Sequence, residues 1–360
     1  MNDQRPSRPL IPRPRAGTKA RRGFLSRVSP VLKSWLPVAG SAFAIAIAVF
    51  SLPSVLAQDL QSEEPQPIAR SFPVTVFPDS KSIVEDPAVE ELLAEEPANL
   101  TAAAGYADLV FTWLAVRVSE LKVYRQLAGA AGMNTLFVTV YPGYRAEEVA
   151  LAFGNKLGWT PSERAAFLKA ARAKDPQLPD GQFVAGTYFV SVTEPEDVAE
   201  LTNERFMSEI LARYGTSTAE QVPLEDALTI ASLLEREAAG WEDMRLISGV
   251  IWNRLFVGMP LQIDATMQYS KATLAGGKGG WWPVPVPADK NIKHPYNTYR
   301  RVGLPPGPIA NPSVAAVLAA LNPKKTDCLF YFHDQYGRFH CSPTYEGHVA
   351  LLKKHYGQGR

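Results

Sequence analysis

Residues 224–239 read L-E-D-A-L-T-I-A-S-L-L-E-R-E-A-A, a stretch that decides the fold of the C-terminal half because its apolar spacing predicts a buried helix. Two acidic residues near its end, Glu235 and Glu237, each share a helix face with apolar or small residues. The Glu235 face carries Leu228, Ala231 and Ser232, and the Glu237 face carries Ile230, Leu233 and Leu234. Burial raises the pKa of a carboxyl group and keeps it protonated, as a proton donor must be.

The residues beside these two acids differ in size. Ala231 and Ser232 leave room for a ligand next to Glu235, whereas the leucines beside Glu237 would pack over it. The pattern therefore favours Glu235 as the candidate general acid. Spacing alone leaves an alternative open, in which one or both carboxylates are solvated or paired with a nearby arginine: Arg236, Arg245 or Arg254.

Four polar and aromatic motifs follow this helix. They are W-N-R-L (252–255), G-M-P-L-Q-I-D-A-T-M-Q-Y (258–269), Y-N-T-Y (296–299) and the proline-rich G-L-P-P-G-P-I-A-N-P (303–312). Aromatic rings stack on sugar rings while amides and carboxylates pair with hydroxyl groups, so this composition suits a carbohydrate ligand. Taken singly, the Asn and Asp residues could equally cap turns.

A small α/β unit is predicted upstream of the helix. Residues 136–141 and 184–192 have strand composition, and between them lie two helical stretches, 145–157 and 161–173. Gly158 closes the first helix, and Thr160 with Pro161 begins the second. Strand, helix, helix, strand is the order of LysM-type carbohydrate-binding modules. A purely structural subdomain has the same order, and both interpretations remain open.

The N-terminal region predicts an anchor. Residues 1–34 carry nine Lys or Arg and one acid, whereas the remainder holds 28 basic and 35 acidic residues. Residues 35–57 are uncharged and long enough to cross a bilayer of ~30 Å hydrocarbon. The positive-inside rule then predicts a basic cytoplasmic tail, a transmembrane helix and an exported body. A signal peptide cleaved near Ala57 is the rival interpretation. The acidic body argues against nucleic-acid binding.

Two segments connect the span to the α/β unit. Residues 58–100 contain six prolines and ten acids, which predicts an acidic linker with a short strand near residues 73–77. Residues 101–134 are predicted to be a helical segment.

Six motifs occur in the order typical of one family: A-S-L-L-E-R-E, W-N-R-L, G-M-P-L-Q-I-D-A-T, Y-N-T-Y, G-L-P-P-G-P-I-A-N-P and H-C-S-P-T-Y-E-G-H. Over residues 135–355 the chain resembles the endolytic murein transglycosylases (the YceG-like, MltG-type family). The resemblance implies an α+β fold with a single N-terminal transmembrane helix, a LysM-like βααβ subdomain (135–195) and a mixed α/β catalytic domain (196–360). The sequence departs from the family's Thr-Asp-Pro-Thr run at 263–266, and residues 58–130 do not clearly match the usual LysM-like region.

The same resemblance implies a lytic transglycosylase of the inner membrane with a periplasmic catalytic domain. Such an enzyme cleaves MurNAc–GlcNAc bonds within nascent peptidoglycan strands, leaves 1,6-anhydro-MurNAc ends, and so terminates or trims elongation. It needs no cofactor and no metal, and peptidoglycan synthases are candidate partners. The family's catalytic glutamate, the first acid of its motif, falls on Glu235. The residues expected to hold the substrate are Asn253, Gln262, Asp264, Asn297 and Tyr299.

Two other classes of function are weighed against this one. A non-enzymatic, membrane-anchored glycan-binding scaffold would keep its function in a Glu235→Gln variant. A zinc enzyme could use residues of the right type near the C-terminus: Cys328, His333, His340, Cys341 and His348. Adjacent residues of a strand point to opposite faces, which disfavours His340 and Cys341 as joint ligands.

The C-terminus is predicted to form a β-hairpin. Its strands, 329–333 and 338–342, flank the turn D-Q-Y-G. With His333 opposite Arg338, Phe330 faces Cys341 and Cys328 lies two residues out of register. Because diagonal positions lie ~7–8 Å apart, this register predicts two unpaired thiols, although an exported chain favours a disulfide. The aromatic residues of the hairpin are expected to be core material and to supply no chemistry.

Overall fold

The structure, a computed structural model, describes residues 70–102, 114, 117–118, 121, 124, 136–174 and 178–357. The predicted basic tail (1–34), transmembrane helix (35–57) and most of the helical segment (101–134) lie outside the described residues. Within the described part of the chain, no helix is both long and apolar enough to cross a bilayer. All described residues belong to one unit, Leu52–Arg360.

The architecture is mixed α+β, as predicted. The strands are β1 (Val76–Phe77), β2 (Ser82–Ile83), β3 (Leu136–Val140), β4 (Gly186–Val190), β5 (Phe330–His333) and β6 (Phe339–Ser342). The α-helices are α1 (Pro87–Ala102), α2 (Ala146–Leu157), α3 (Pro161–Lys174), α4 (Pro195–Glu209), α5 (Thr216–Gln221), α6 (Leu224–Glu237), α7 (Trp241–Phe256), α8 (Asp264–Leu274), α9 (Val314–Leu321) and α10 (Tyr345–Tyr356). Short 3₁₀ turns occupy Leu211–Arg213 and Pro287–Asn291.

The βααβ module, residues 136–190, has the predicted order of strand, helix, helix and strand. β3 and β4 pair antiparallel, from Leu136 opposite Val190 to Val140 opposite Gly186. Gly158 ends α2 in the left-handed conformation (φ 77°) that only glycine adopts without strain. The Thr160 hydroxyl and the Glu163 carboxylate cap α3 reciprocally. Five buried aromatic residues fill the module core: Phe153, Trp159, Phe167, Phe183 and Tyr188.

The main core lies among α6, α7 and α9. Eight consecutive residues of α6, from Ala227 to Leu234, are buried, so this helix is enclosed on all sides except at its ends. α9 (V-A-A-V-L-A-A-L) is similarly apolar all round and packs against both α6 and α7. The sequence motif that predicted a buried helix therefore forms the centre of the domain, and the last turn of α6 reaches the protein surface.

Part of the segment predicted to be an acidic linker is packed against this core. Phe72, Val76 and Leu93 are buried in the same cluster as α6. Glu90 forms an ion pair with Arg245 of α7, which has 2% of its side chain exposed. The hydrogen bond from Arg245 is the main reason that the pKa of Glu90 falls to about 2. The sequence did not suggest this docking because the partners are more than 150 residues away.

The C-terminal hairpin differs from its predicted register. His333 lies opposite Phe339, not Arg338, so Tyr331 lies opposite Cys341. The prediction of unpaired thiols is wrong, because Cys328 and Cys341 form a disulfide with Cα atoms 5.7 Å apart. β5 begins only at Phe330, so Cys328 is not a strand residue and the ladder geometry does not apply to it. Asn253 Nδ2 donates to the carbonyls of residues 326 and 328 in the segment before this strand.

Candidate active site

Glu235 lies in the last turn of α6, where the helix leaves the core. Its Oε1 accepts two hydrogen bonds from Ser313, one from the backbone N–H (2.8 Å) and one from the hydroxyl (2.5 Å). Burial raises the pKa of Glu235, and the two Ser313 bonds, which favour the charged form, partly oppose that rise. The arrangement suits a carboxyl group that releases and regains a proton, because both of its charge states have support.

Ser313 also begins α9. Its hydroxyl accepts a hydrogen bond from the backbone N–H of Ala316 (3.1 Å), which makes Ser313 the N-cap of the helix. The positive end of the α9 dipole therefore points towards Glu235 and stabilises its ionised form. Ser313 was not predicted as a site residue, although a Ser directly before the apolar run 314–321 is an N-cap signal.

The end of the proline-rich motif 303–312 continues into Ser313. We call residues 309–313 the strap. The N–H of Ile309 donates to the hydroxyl of Ser232 on α6 (3.0 Å). Asn311 is fully buried, and Ser313 contacts Glu235. Within five residues the strap thus touches α6 twice, and Asn311 lies between those contacts.

Asn311 joins the strap to the βααβ module. Its Oδ1 accepts from the N–H groups of Gly181 (2.8 Å) and Phe183 (3.0 Å), and its Nδ2 donates to the carbonyl of Tyr144 (2.8 Å). Its backbone exchanges hydrogen bonds with Gly143 and Tyr144 as well. Asn311 thus ties the module, through its side chain and its backbone, to the segment that contacts Glu235.

An aromatic and cationic surface adjoins Glu235. The guanidinium of Arg236 stacks 3.9 Å from the ring of Trp282, and Trp282 Nε1 donates to Glu148 of the module (3.0 Å). Gly143, with φ 78°, passes so close that an added Cβ would lie 3.3 Å from Arg236 Cδ and 3.8 Å from Glu235 Cβ. The module loop at Gly143 therefore bounds the space beside Glu235, and Trp282 covers the neighbouring Arg236; neither contact was predicted.

Glu237 is the more deeply buried acid of the pair. The hydroxyl of Tyr331 donates to its Oε2 (2.9 Å), and burial raises the pKa of Glu237 to about 6, with the charge of Asp264 contributing. The prediction that Glu237 is packed over by leucines is only partly right, because its carboxylate faces a cavity of about 580 Å³.

This cavity is mostly polar and aromatic. Its lining comprises Glu237, Arg254, Gln262, Asp264, Lys290, Tyr299, Phe330, Tyr331, Phe332, His333, Tyr345 and His348. The expectation that the hairpin aromatics are core material is confirmed for Tyr331 and Phe339, which pack against the main core. Phe330, Tyr331 and Phe332 also line the cavity, which the sequence did not predict.

Three of the predicted substrate-binding residues meet in this cavity. Tyr299 donates its hydroxyl to Asp264 Oδ1 (2.6 Å), and Gln262 lines the same space. Gln262 has φ 52°, a conformation that a non-glycine residue adopts only when its surroundings impose it. Its N–H donates to the carbonyl of Thr298, which fixes the loop in this form.

The other two predicted substrate-binding residues have structural contacts. Asn297 is fully buried, and its Nδ2 donates to the carbonyls of Lys290 and Ile292. Asn253 Nδ2 holds the segment before β5, as described above. In both residues the amide nitrogen is already bonded to backbone carbonyls. Glu235 is not among the residues that line the cavity, so the two acids of α6 face different spaces.

The zinc-enzyme hypothesis receives no support from the predicted ligand set. Cys328 and Cys341 are bonded to each other, so neither offers a thiolate. His333 Nε2 contacts Asp243 Oδ2 at 2.8 Å. His348 lies beside Phe330 with a ring distance of 5.7 Å.

Comparisons with known proteins show relatives over much of this chain. The model of the YceG-like family matches residues 114–354. A Streptococcus pneumoniae protein named endolytic murein transglycosylase is 33% identical over 180 residues, which are 49% of this chain and 32% of that protein. A Bacillus subtilis protein of the same name is 34% identical over 163 residues, which are 45% of this chain and 43% of that protein.

A solved structure is also similar. The crystal structure of a YceG-like protein from Listeria monocytogenes superposes with a TM-score of 0.52 at 25% identity. The superposition covers 60% of this chain and 75% of that one. This chain spans less than half the length of the curated relatives described above.

Proposed function

Because the chain belongs to the YceG-like family, we propose that it is a lytic transglycosylase that cleaves glycan strands of peptidoglycan with Glu235 as its acid and base. The observation that carries the proposal is the environment of Glu235: a largely buried carboxyl group with a raised pKa, held by two donors from Ser313. Its position in A-S-L-L-E-R-E is the one that the resemblance assigns to the catalytic glutamate.

The chemistry requires one proton to be given and one to be taken back. Protonated Glu235 donates to the bridging oxygen of a MurNAc–GlcNAc bond while the bond from that oxygen to C1 breaks. The 6-hydroxyl oxygen of the same MurNAc then bonds to C1, and its proton passes to the Glu235 carboxylate. No water is consumed, the product carries a 1,6-anhydro end, and Glu235 returns to its protonated state.

A single carboxyl group is sufficient for this reaction. Hydrolytic glycosidases need two carboxylates because a water molecule or an enzyme nucleophile must be handled separately. Here the attacking hydroxyl belongs to the substrate, so it is already positioned. The two donors of Ser313 stabilise the carboxylate formed after proton donation, which lowers the energy of the charged intermediate state.

The cavity beside Glu237 is proposed to hold part of the glycan strand. Asp264, Tyr299 and Gln262 offer hydrogen-bonding groups, and aromatic rings of the hairpin offer stacking surfaces. Asp264 and Tyr299 are bonded to each other, which fixes both side chains for recognition. Glu237 and Glu235 face different spaces, but both lie in the last turn of α6, and we propose that a strand bound in the cavity passes around this end of the helix to reach Glu235.

The cellular setting is proposed from the sequence together with the disulfide. We assign residues 35–57 as a single-pass inner-membrane anchor and the catalytic domain (196–360) to the periplasm. The Cys328–Cys341 bond supports export because disulfides persist in oxidising compartments. The βααβ order supports a LysM-like, glycan-binding role for residues 135–195, joined to the anchor through 58–134. Nascent glycan strands are the proposed substrate, and peptidoglycan synthases are the proposed partners.

Digestion of purified sacculi tests the proposed activity. Wild type should release fragments with anhydro ends, identified by mass spectrometry, and Glu235→Gln should lose at least ~10²-fold in rate because it lacks the proton. Glu242→Gln, the same change at an exposed position of α7, is the matched control and should remain active. A Glu235→Gln variant that folds normally and still releases anhydro ends at the wild-type rate would refute the mechanism. Sacculus binding by wild type without cleavage would favour the non-enzymatic scaffold.

A further inference from the structure

Three side chains with metal-binding atoms converge at the C-terminal hairpin. Asp334 lies in the turn between β5 and β6, His340 lies on β6, and His355 lies in the last turn of α10. His340 Nε2 is 3.0 Å and His355 Nδ1 is 3.9 Å from the same atom, Asp334 Oδ2. All three atoms lie within 4.8 Å of one another. Residues from three different elements thus present one ligand atom each to a single point.

Asp334 is fixed before any ion arrives. Its side chain is 1% exposed, and its Oδ1 accepts from the backbone N–H groups of Tyr336 (2.8 Å) and Arg338 (3.0 Å). Gly337, with φ 74°, allows the turn that brings these donors together. With Oδ1 held by the backbone, Oδ2 faces the two imidazole rings.

We propose that Asp334, His340 and His355 form a binding site for a divalent transition-metal ion, with Zn²⁺ as the best match. One carboxylate oxygen and two imidazole nitrogens are a set that zinc prefers, with bonds of ~2.0–2.1 Å. Tetrahedral angles at such bond lengths separate the ligand atoms by about 3.3 Å, a value between the two separations from Asp334 Oδ2, 3.0 and 3.9 Å. At 3.9 Å, His355 is too far for a hydrogen bond to the carboxylate but close enough to share an ion with it.

The two imidazole rings lie close to each other as well as to Asp334. Their centroids are 4.1 Å apart. Both rings therefore border the space in which the ion would lie.

Arg338 competes for the same oxygen. Its Nε lies 2.9 Å from Asp334 Oδ2, and its side chain is 65% exposed. The guanidinium repels a cation at this point but can swing into solvent. Removing its charge while keeping a polar side chain, as in Arg338→Gln, should tighten metal binding. If the three side chains were held together only by ion pairs, Arg338→Gln would not bind metal more tightly.

The site lies apart from the proposed glycan-binding cavity but shares the hairpin with it. Tyr356, next to His355, donates its hydroxyl to the carbonyl of His333, and His333 lines the cavity. A bound ion would clamp α10 to the hairpin that carries Tyr331 against Glu237. The ion would act on the structure, and the proposed cleavage reaction does not depend on it.

Calorimetric titration of the full chain, without a polyhistidine tag, with Zn²⁺ tests the site. Wild type should bind one ion, and Co²⁺ in its place should give the absorption of a tetrahedral complex. His340→Ala and His355→Ala should each weaken binding at least ~10-fold, and Arg338→Gln should strengthen it. His294→Ala, far along the sequence in another loop, is the matched control and should bind as wild type does.

Two results would contradict the proposed metal site. Absence of saturable binding by the folded wild type, or equal affinity in wild type and folded His355→Ala, overturns it. If His355→Ala does not fold, as judged by circular dichroism, Arg338→Gln decides alone: tighter binding supports the site and unchanged binding overturns it.

Discussion

Replacing Ser313 with alanine tests whether the start of α9 sets the protonation of Glu235. The change removes the hydroxyl that donates to Glu235 Oε1 and accepts from the N–H of Ala316. It leaves the backbone N–H of residue 313, which donates to the same carboxylate oxygen at 2.8 Å. The variant therefore loses one of the two donors to Glu235 and the side-chain cap of α9, while the strap keeps its other contacts.

The expected magnitudes follow from these two losses. An N-cap serine contributes ~1 kcal/mol, so the free energy of unfolding should fall by about that amount. A hydrogen bond to a charged group contributes ~1.5 kcal/mol or more, equivalent to a roughly tenfold change in an ionisation constant. Because the lost bond favours the ionised form, Glu235 should hold its proton to higher pH. The alkaline limb of the pH–rate profile should move upward by about one pH unit.

The assay is the rate of anhydro-end release from sacculi as a function of pH, with urea unfolding measured alongside. Ser313→Gly separates the two effects, because glycine costs only a few tenths of a kcal/mol as an N-cap yet lacks the hydroxyl. Both variants should shift the alkaline limb, and only Ser313→Ala should lose about 1 kcal/mol of stability. An alkaline limb that stays in place, or moves downward, in both folded variants would show that Ser313 does not control the protonation of Glu235.

Three stability measurements follow from other contacts of the structure. Because the folded-state pKa of Glu237 is raised from 4.5 to about 6, wild type should lose stability as pH rises through this interval, and Glu237→Gln should lack that loss in urea unfolding. The pKa shift of Glu90 has the opposite sign, from 4.5 to about 2, so the stability that Glu90 contributes should be lost as pH falls through that range. If Glu90→Gln and wild type lose stability equally in an acid titration, the ion pair of Glu90 with Arg245 is contradicted. Replacing both Cys328 and Cys341 with serine opens a loop of sequence separation 13 and should lower the unfolding free energy by ~3 kcal/mol relative to oxidised wild type. Reduced wild type is the control and should match the double variant.

Local signals in the sequence predicted much of the fold. The helix from Leu224 to Glu237, the glycine stop at Gly158 and the Thr160 cap each depend on residues within one or two turns, so they could be identified without tertiary information. The strand, helix, helix, strand order of the module was predicted for the same reason.

The errors concern partners that are distant in sequence. The segment before β5, which carries Cys328, is hydrogen-bonded to Asn253, about 75 residues away, and a hairpin register derived from local sequence does not include that contact. The polar motifs posed a related difficulty. Asp264 and Asn297 both belong to motifs suited to sugars, yet one faces the cavity and the other is fully buried. Composition identifies hydrogen-bonding capacity, whereas only the fold shows whether that capacity is already used.

The side chain of Asn311 has a consequence for protein engineering. It bonds to the main chain of the module at Tyr144, Gly181 and Phe183, and no side chain of the module takes part in these bonds. At this point a foreign module grafted onto the catalytic domain would therefore dock through its backbone path. The glycine with its left-handed conformation at 181 must be kept, because an added Cβ there would lie 2.8 Å from Pro308 Cγ. Chimeras should also keep Glu148 and Asp180, whose side chains accept hydrogen bonds from Trp282 and Tyr269 of the catalytic domain.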